Sequence, residues 1–236
     1  EHAIPFSDIR PFIVSIADLD SDGDKDLIVG MGYNSNSANA EIAWYENNGN
    51  QEFTRVRVGA AQWVRSIQPI DFDQDGDMDL ISTSQTFDQV YFFENDGSQV
   101  FHRRTLTSAF LGNSTDAPHT VAVSDIDSDG DLDFATASLY DDTIAWYENT
   151  DGKATFGPRR VISSSAVWAS FVHAADMDGD GDVDVLSASY YDDKIAWYEN
   201  TDGARSEERR VGKEWRSRWG AAACKGGGGG GGGGGG

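Results

Sequence analysis

Short apolar runs recur along the chain between clusters of Asp, Asn and Gly. Phe12-Ile-Val-Ser-Ile-Ala17 and Leu27-Ile-Val-Gly30 are rich in β-branched residues and bounded by turn formers, a pattern that predicts strands. A third run, Ile42-Ala-Trp44-Tyr45-Glu46-Asn47, is apolar on both alternating faces and reappears at 90–95, 144–149 and 195–200. A strand of that kind is buried on both sides. An Asn/Asp/Gly turn follows it, chemistry that tolerates positive φ. Four residues after the turn Gly stands a Phe (Gly49/Phe53, Gly97/Phe101, Gly152/Phe156) that opens a fourth predicted strand, such as 53–58.

The first two strands of each unit are joined by an acidic stretch. Its copies begin at 18, 71, 125 and 176, spacings of 53, 54 and 51. Four antiparallel strands per unit of about 50 residues, apolar on both faces, describe the blade of a β-propeller. The chain is therefore expected to be all-β, with repeats at about 11–62, 63–116, 117–168 and 169–203. Stacked blades bury each other's faces, so the aromatic stripe reads as inter-blade core and not as a cofactor box.

The acidic stretches are Asp18-Leu-Asp20-Ser-Asp22-Gly-Asp24-Lys-Asp26, Asp71-Phe-Asp73-Gln-Asp75-Gly-Asp77-Met-Asp79, Asp125-Ile-Asp127-Ser-Asp129-Gly-Asp131-Leu-Asp133 and Asp176-Met-Asp178-Gly-Asp180-Gly-Asp182-Val-Asp184. Two carboxylates about 5 Å apart repel by about 1 to 3 kcal/mol between bulk water and a protein surface. Five of them around one Gly need a cation. Hard oxygen donors without His or Cys select Ca²⁺ over zinc or copper, giving about four calcium sites. These loops are not EF-hands: the twelfth position, which must be Glu in that motif, is Val29, Ser82, Thr136 and Ser187, and strands replace the flanking helices.

Charge narrows the partners. The net charge is −22, and four bound divalent cations would leave −14, which disfavours nucleic acid and anionic membranes. No apolar run is long enough to insert into a membrane. The single Cys224 excludes a disulfide framework.

The Asp-x-Asp-x-Asp-Gly-Asp-x-Asp loop between two strands, repeated with the Gly-x-x-x-Phe element over residues 11 to 203, resembles the FG-GAP/VCBS repeat of the integrin α N-terminal propeller and of many secreted proteins. The resemblance implies that the side chains at loop positions one, three, five and nine, with the backbone carbonyl at seven, hold Ca²⁺. In the first loop these are Asp18, Asp20, Asp22, Asp26 and the carbonyl of Asp24, and the other three follow in register. Members of that family usually close seven blades, so the four here are expected to be part of a larger ring. Residues 1–4 align with the end of a fourth strand, which suggests a preceding blade.

Beyond Gly203 the repeat stops. Glu207 stands where the next Phe belongs, and 205–214 resembles one reading frame of a sequencing-library adapter, with Trp215 at the position where that frame reads Cys. Eleven Gly follow Lys225, and the balance of charge turns from acidic to basic. Residues 204–236 are accordingly expected to be a non-native or disordered tail outside the function. The edge at 195–200 is then expected to lack its outer strand.

The calcium loops join first and second strands, so they share one face. The opposite face gathers Arg10, Trp63, Arg65, His119 and Trp168 from the connections entering each blade. It also gathers 33–40, Asp88, Tyr140-Asp141-Asp142 and Tyr190-Tyr191-Asp192-Asp193 from the turns between second and third strands. Trp63 and Trp168 both stand eight residues before the first Asp of their loops, where Arg10 and Ala117 stand in the other two repeats. Trp and Tyr beside acids suit sugar stacking or protein contact. No nucleophile elbow, zinc signature or phosphate loop is present. Adjacent Asp residues on a strand point opposite ways and make a poor acid/base pair. The reading is an extracellular, calcium-binding propeller that recognises a glycan or protein. The competing class is a carbohydrate-active enzyme, such as a polysaccharide lyase, on the same scaffold.

Overall fold

The computed structural model of the chain describes residues 11–31, 40–107 and 115–201, with the backbone of 210–211 and 215–216. These residues form four antiparallel sheets and no helix. Blade one is β1 (Pro11–Ala17), β2 (Asp26–Met31), β3 (Glu41–Asn47) and β4 (Phe53–Ala60), and blade two is β5 (Val64–Ile70), β6 (Asp79–Ser84), β7 (Gln89–Asn95) and β8 (Phe101–Thr105). Blade three is β9 (Pro118–Ser124), β10 (Asp133–Ser138), β11 (Thr143–Tyr147) and β12 (Arg160–Ser163). Blade four is β13 (Ala169–Ala175), β14 (Asp184–Ser189), β15 (Lys194–Glu199) and the dipeptides β16 (Arg210–Val211) and β17 (Trp215–Arg216). Strands pair in chain order within each blade, and the first strands of neighbouring blades (β1 with β5, β5 with β9, β9 with β13) lie against one another at the inner edge. The fold is a partial β-propeller.

The core lies between blades. Ile28, Ile42 and Trp44 of blade one meet Ile67, Leu80 and Phe93 of blade two. Ile81 and Phe92 meet Phe134 and Tyr147 at the next join, and Ile144 and Trp146 meet Val185 and Tyr198 at the third. The aromatic strand is thus core, as its two apolar faces predict.

Two expectations need correction. Phe156 does not open the fourth strand of blade three: it makes an isolated bridge to Asn149, and β12 begins only at Arg160. Gly157 and Pro158 intervene, and Pro has no N–H to give to a ladder. Phe156 instead packs edge-on against Phe72 and Phe134, at 5.4 and 4.7 Å between ring centroids, bridging blades two and three. The edge of β15 is also not bare, since Val211 pairs with Tyr198 and Trp215 with Ile195. An open row of N–H and C=O groups takes whatever extended backbone reaches it. Ile195 nevertheless remains 51% exposed, whereas Ile42 and Ile144 in the same register are fully buried.

Candidate functional site

Each acidic loop is built on its own backbone. The first carboxylate receives the N–H of the position-six Gly: Gly23 to Asp18 Oδ2 at 3.0 Å, Gly76 to Asp71 at 3.1 Å, Gly130 to Asp125 at 3.0 Å and Gly181 to Asp176 at 3.1 Å. Those glycines sit at φ of 96° to 100°, a conformation that side chains rarely adopt. The carboxylate at position five receives the N–H of position seven in every loop, at 2.8 to 3.0 Å.

Position nine does something the sequence did not announce. Asp26, Asp79, Asp133 and Asp184 are fully buried. One oxygen of each accepts the N–H of position two (Leu19, Phe72, Ile126, Met177) at 2.9 to 3.1 Å. The other accepts the N–H of the Asn that ends the aromatic strand (Asn47, Asn95, Asn149, Asn200) at 2.7 to 2.8 Å. The same carboxylate therefore clasps the loop to the third strand. The recurrence of Asn after Glu in all four aromatic strands was the available signal. Burial pushes the Asp79 and Asp133 carboxyls up to about 7, and the two N–H donors to each oppose that shift.

Among the described residues, groups of three carboxylates with oxygens within 4.8 Å of one another are Asp18/Asp20/Asp22, Asp71/Asp73/Asp79, Asp125/Asp127/Asp133 and Asp176/Asp178/Asp184, each able to hold a metal ion. Asp127 and Asp129 form a further group with Glu148 from the end of the aromatic strand. Asp71 Oδ1 and Asp73 Oδ1 are buried without a hydrogen-bond partner, which suits a site made for a cation. Asp24, Asp77, Asp131 and Asp182 enter none of these groups. The first three point instead at the turn glycines, where a Cβ on Gly49, Gly97 or Gly152 would lie 2.4 to 2.6 Å from a carboxylate oxygen.

On the opposite face, Trp63, Ala117 and Trp168 share one backbone state, with φ of 48°, 52° and 57°. Their carbonyls accept the N–H of Gln85, Leu139 and Tyr190 at 3.1 to 3.3 Å. The N–H groups of Ala117 and Trp168 donate to Asp88 Oδ1 (2.9 Å) and Asp142 Oδ1 (2.8 Å) of the preceding blade. Asp141 is paired with Arg159 at 2.6 Å. These acids stitch blades and turns together.

The structure brings Trp168 against Tyr140, Tyr190 and Tyr191, at 6.3, 6.2 and 4.5 Å between ring centroids, and the three tyrosines are exposed. The Arg65 guanidinium lies over the rings of Phe12 (4.6 Å) and Trp63 (5.0 Å), and its Nε donates to Gln85 Oε1 at 2.7 Å. His119 Nδ1 is 2.7 Å from the carbonyl oxygen of Ser170, so Nδ1 carries the proton. Burial holds His119 below the ordinary imidazole value; the Ser170 bond opposes that shift, and the Arg65 charge reinforces it. Arg10 and 33–39 lie outside the described residues.

The FG-GAP-like repeat matches residues 18–82, 71–136 and 125–187, each match running from the first Asp of one loop into the strand after the next. The chain belongs to the FG-GAP-like repeat family. No curated protein sequence matches it. Among solved structures, an Agrocybe aegerita lectin described as recognising non-reducing terminal N-acetylglucosamine superposes with a TM-score of 0.56 at 19% identity, covering 87% of this chain and 52% of its own. An auxiliary nutrient-binding protein of Bacteroides ovatus gives 0.53 at 8% identity, covering 79% and 44%. A Lactobacillus plantarum protein gives 0.51 at 15%, covering 80% and 52%. The FG-GAP chain thus spans about half the length of these structures, and at such identities the likeness is one of fold.

Proposed function

We propose that this FG-GAP chain is a calcium-stabilised recognition module that works outside the cell and binds a glycan or protein ligand on the face opposite its acidic loops. The observation that carries the reading is the aromatic group that half-buried Trp168 forms with the exposed Tyr140, Tyr190 and Tyr191 on that face. A left-handed backbone position is costly for a bulky side chain. Ala117 fills the same position in blade three, so the backbone does not demand an aromatic there. Keeping Trp at 63 and 168 is what a binding surface would ask.

In the first loop Ca²⁺ would be held by Asp18, Asp20, Asp22 and Asp26 with the Asp24 carbonyl. The other loops would use Asp71, Asp73, Asp75, Asp79 and the Asp77 carbonyl; Asp125, Asp127, Asp129, Asp133 and the Asp131 carbonyl; and Asp176, Asp178, Asp180, Asp184 and the Asp182 carbonyl. A bound divalent ion supplies the charge that lets these carboxylates sit together. Without a bidentate Glu at position twelve the loops are weak sites, filled where calcium is abundant, which favours an extracellular setting.

Binding is favoured over catalysis by the commitment of the Asp141-Asp142 pair: Asp141 to Arg159, and Asp142 to the Trp168 N–H. The superposing lectin, described as recognising N-acetylglucosamine, supports a glycan ligand. The test is a glycan array with calcium present, comparing the chain with Trp168→Ala. Binding lost in the variant, with no turnover of the bound sugars, is the expected result; equal binding by the two proteins overturns the assignment of this face.

A further inference from the structure

One position of the repeat carries unlike chemistry in every blade. Six residues before the first Asp of each loop stand Phe12, Arg65, His119 and Ser170. All four are on first strands at the inner edge, and they touch from blade to blade: Arg65 lies on Phe12, and His119 bonds Ser170. Core positions of this chain stay apolar from blade to blade, as Trp44, Phe92 and Trp146 or Ile28, Ile81 and Ala135 do. A ring position that changes from aromatic to cation to imidazole to hydroxyl is not maintained by packing.

Arg65 stands apart from most of the described guanidiniums; it shares the lack of a carboxylate partner with Arg103, whose terminal nitrogen is taken by the Ala60 carbonyl. Arg55 and Arg57 pair with Glu41, Arg104 with Glu94, Arg159 with Asp141 and Arg160 with Glu148. Arg65 pairs with no carboxylate among the described residues, although the chain carries 40 acids. Phe12 and Trp63 fix the plane of its fork, and Gln85 takes Nε, which leaves the two terminal nitrogens as a side-by-side pair of donors. Such a pair matches the two oxygens of one carboxylate, and a fork already held by stacking loses little freedom on binding.

We propose that the ligand of this face is an acidic glycan whose uronic-acid-type carboxylate is gripped by the terminal nitrogens of Arg65, with sugar rings stacking on the Trp168 cluster. The proposal rests on the glycan reading given above and adds its charge class. β5, β9 and β13 lie side by side at the inner edge, and His119 bonds the carbonyl of Ser170, two residues from Trp168, so cation and aromatic cluster stand on neighbouring strands of one face. Stacking surfaces beside a planar cation suit a charged sugar better than an acidic peptide, which has few flat apolar faces to offer.

Titration calorimetry in saturating calcium tests this with trigalacturonate, its methyl ester and a poly-Asp peptide. The acid is expected to bind at least about tenfold more tightly than the ester, the value of one charge-assisted bidentate contact. Arg65→Gln should bring the acid down to the level of the ester, and Trp168→Ala should weaken both sugars. Should Arg65→Gln melt early, Arg65→Lys, which keeps the charge but not the planar fork, is expected to lose most of the same preference. Equal binding of acid and ester overturns the acidic-glycan proposal and leaves the glycan reading standing. A preference that survives Arg65→Gln assigns it to the calcium loops and also overturns the proposal. Binding of the peptide alone makes the ligand a protein, and no binding by either sugar overturns the acidic-glycan proposal, with the glycan reading decided by the array.

Discussion

The carboxylate at position nine accepts two backbone N–H groups on its own account, whereas position five holds one exposed turn. Their substitutions should therefore differ in kind. Asp133→Ala leaves the N–H groups of Ile126 and Asn149 buried without an acceptor. This should cost about 2 to 4 kcal/mol with or without calcium. Asp129→Ala should remove only the calcium-dependent part of the stability, which calorimetry with and without chelator separates. The pH dependence follows from Asp79 and Asp133, both raised from 3.8 to about 7 by burial. A carboxyl that holds its proton more tightly when folded favours the folded state while protonated. That contribution is complete below about pH 4 and is lost as the pH rises through about 7. Calcium-free protein should therefore melt lower at pH 8 than at pH 5. Saturating calcium, which takes the place of the proton, should cancel the difference or reverse it. A calcium-free melting temperature that rises over that interval would contradict the burial argument.

At the scale of strands and turns, two tryptophans separate core from surface. Trp44 is fully buried between blades one and two, and Trp44→Ala should cost about 3 to 5 kcal/mol. Trp168 is half-buried against tyrosines on the open face, and Trp168→Ala should cost only about 1 kcal/mol from lost ring contacts. Urea melts of the two variants measure this; a loss above about 3 kcal/mol for Trp168→Ala would make it core. Strands of this kind were legible in the sequence because their signals are local: β-branched runs, Asn/Gly turns and an aromatic run apolar on both faces. The start of β12 was not, because the Phe156 register gave one answer and Pro158 imposed another. The clasp from position nine to the terminal Asn joins groups 16 to 21 residues apart. The stacking of Arg65 on Phe12 crosses from one blade to the next. Neither can be read from spacing within a single loop.

Among the described residues, the acidic loops crowd one face and the aromatic patch occupies the other, so the proposed ion would serve stability and the patch would serve the proposed recognition. A chain of net charge −22 with buried, unpartnered carboxylate oxygens at its second loop is under electrostatic tension that divalent cations would relieve. The most direct test is the melting temperature of the full chain at neutral pH in millimolar Ca²⁺ and in excess chelator. With a Kd near 10 μM, each site contributes about 2.7 kcal/mol. Even one such site should raise the midpoint by about 5 °C or more in a domain of this size. A rise of that order, saturating with calcium and absent with magnesium, is the predicted result; the same midpoint in calcium and in chelator would contradict the claim that these loops are calcium sites.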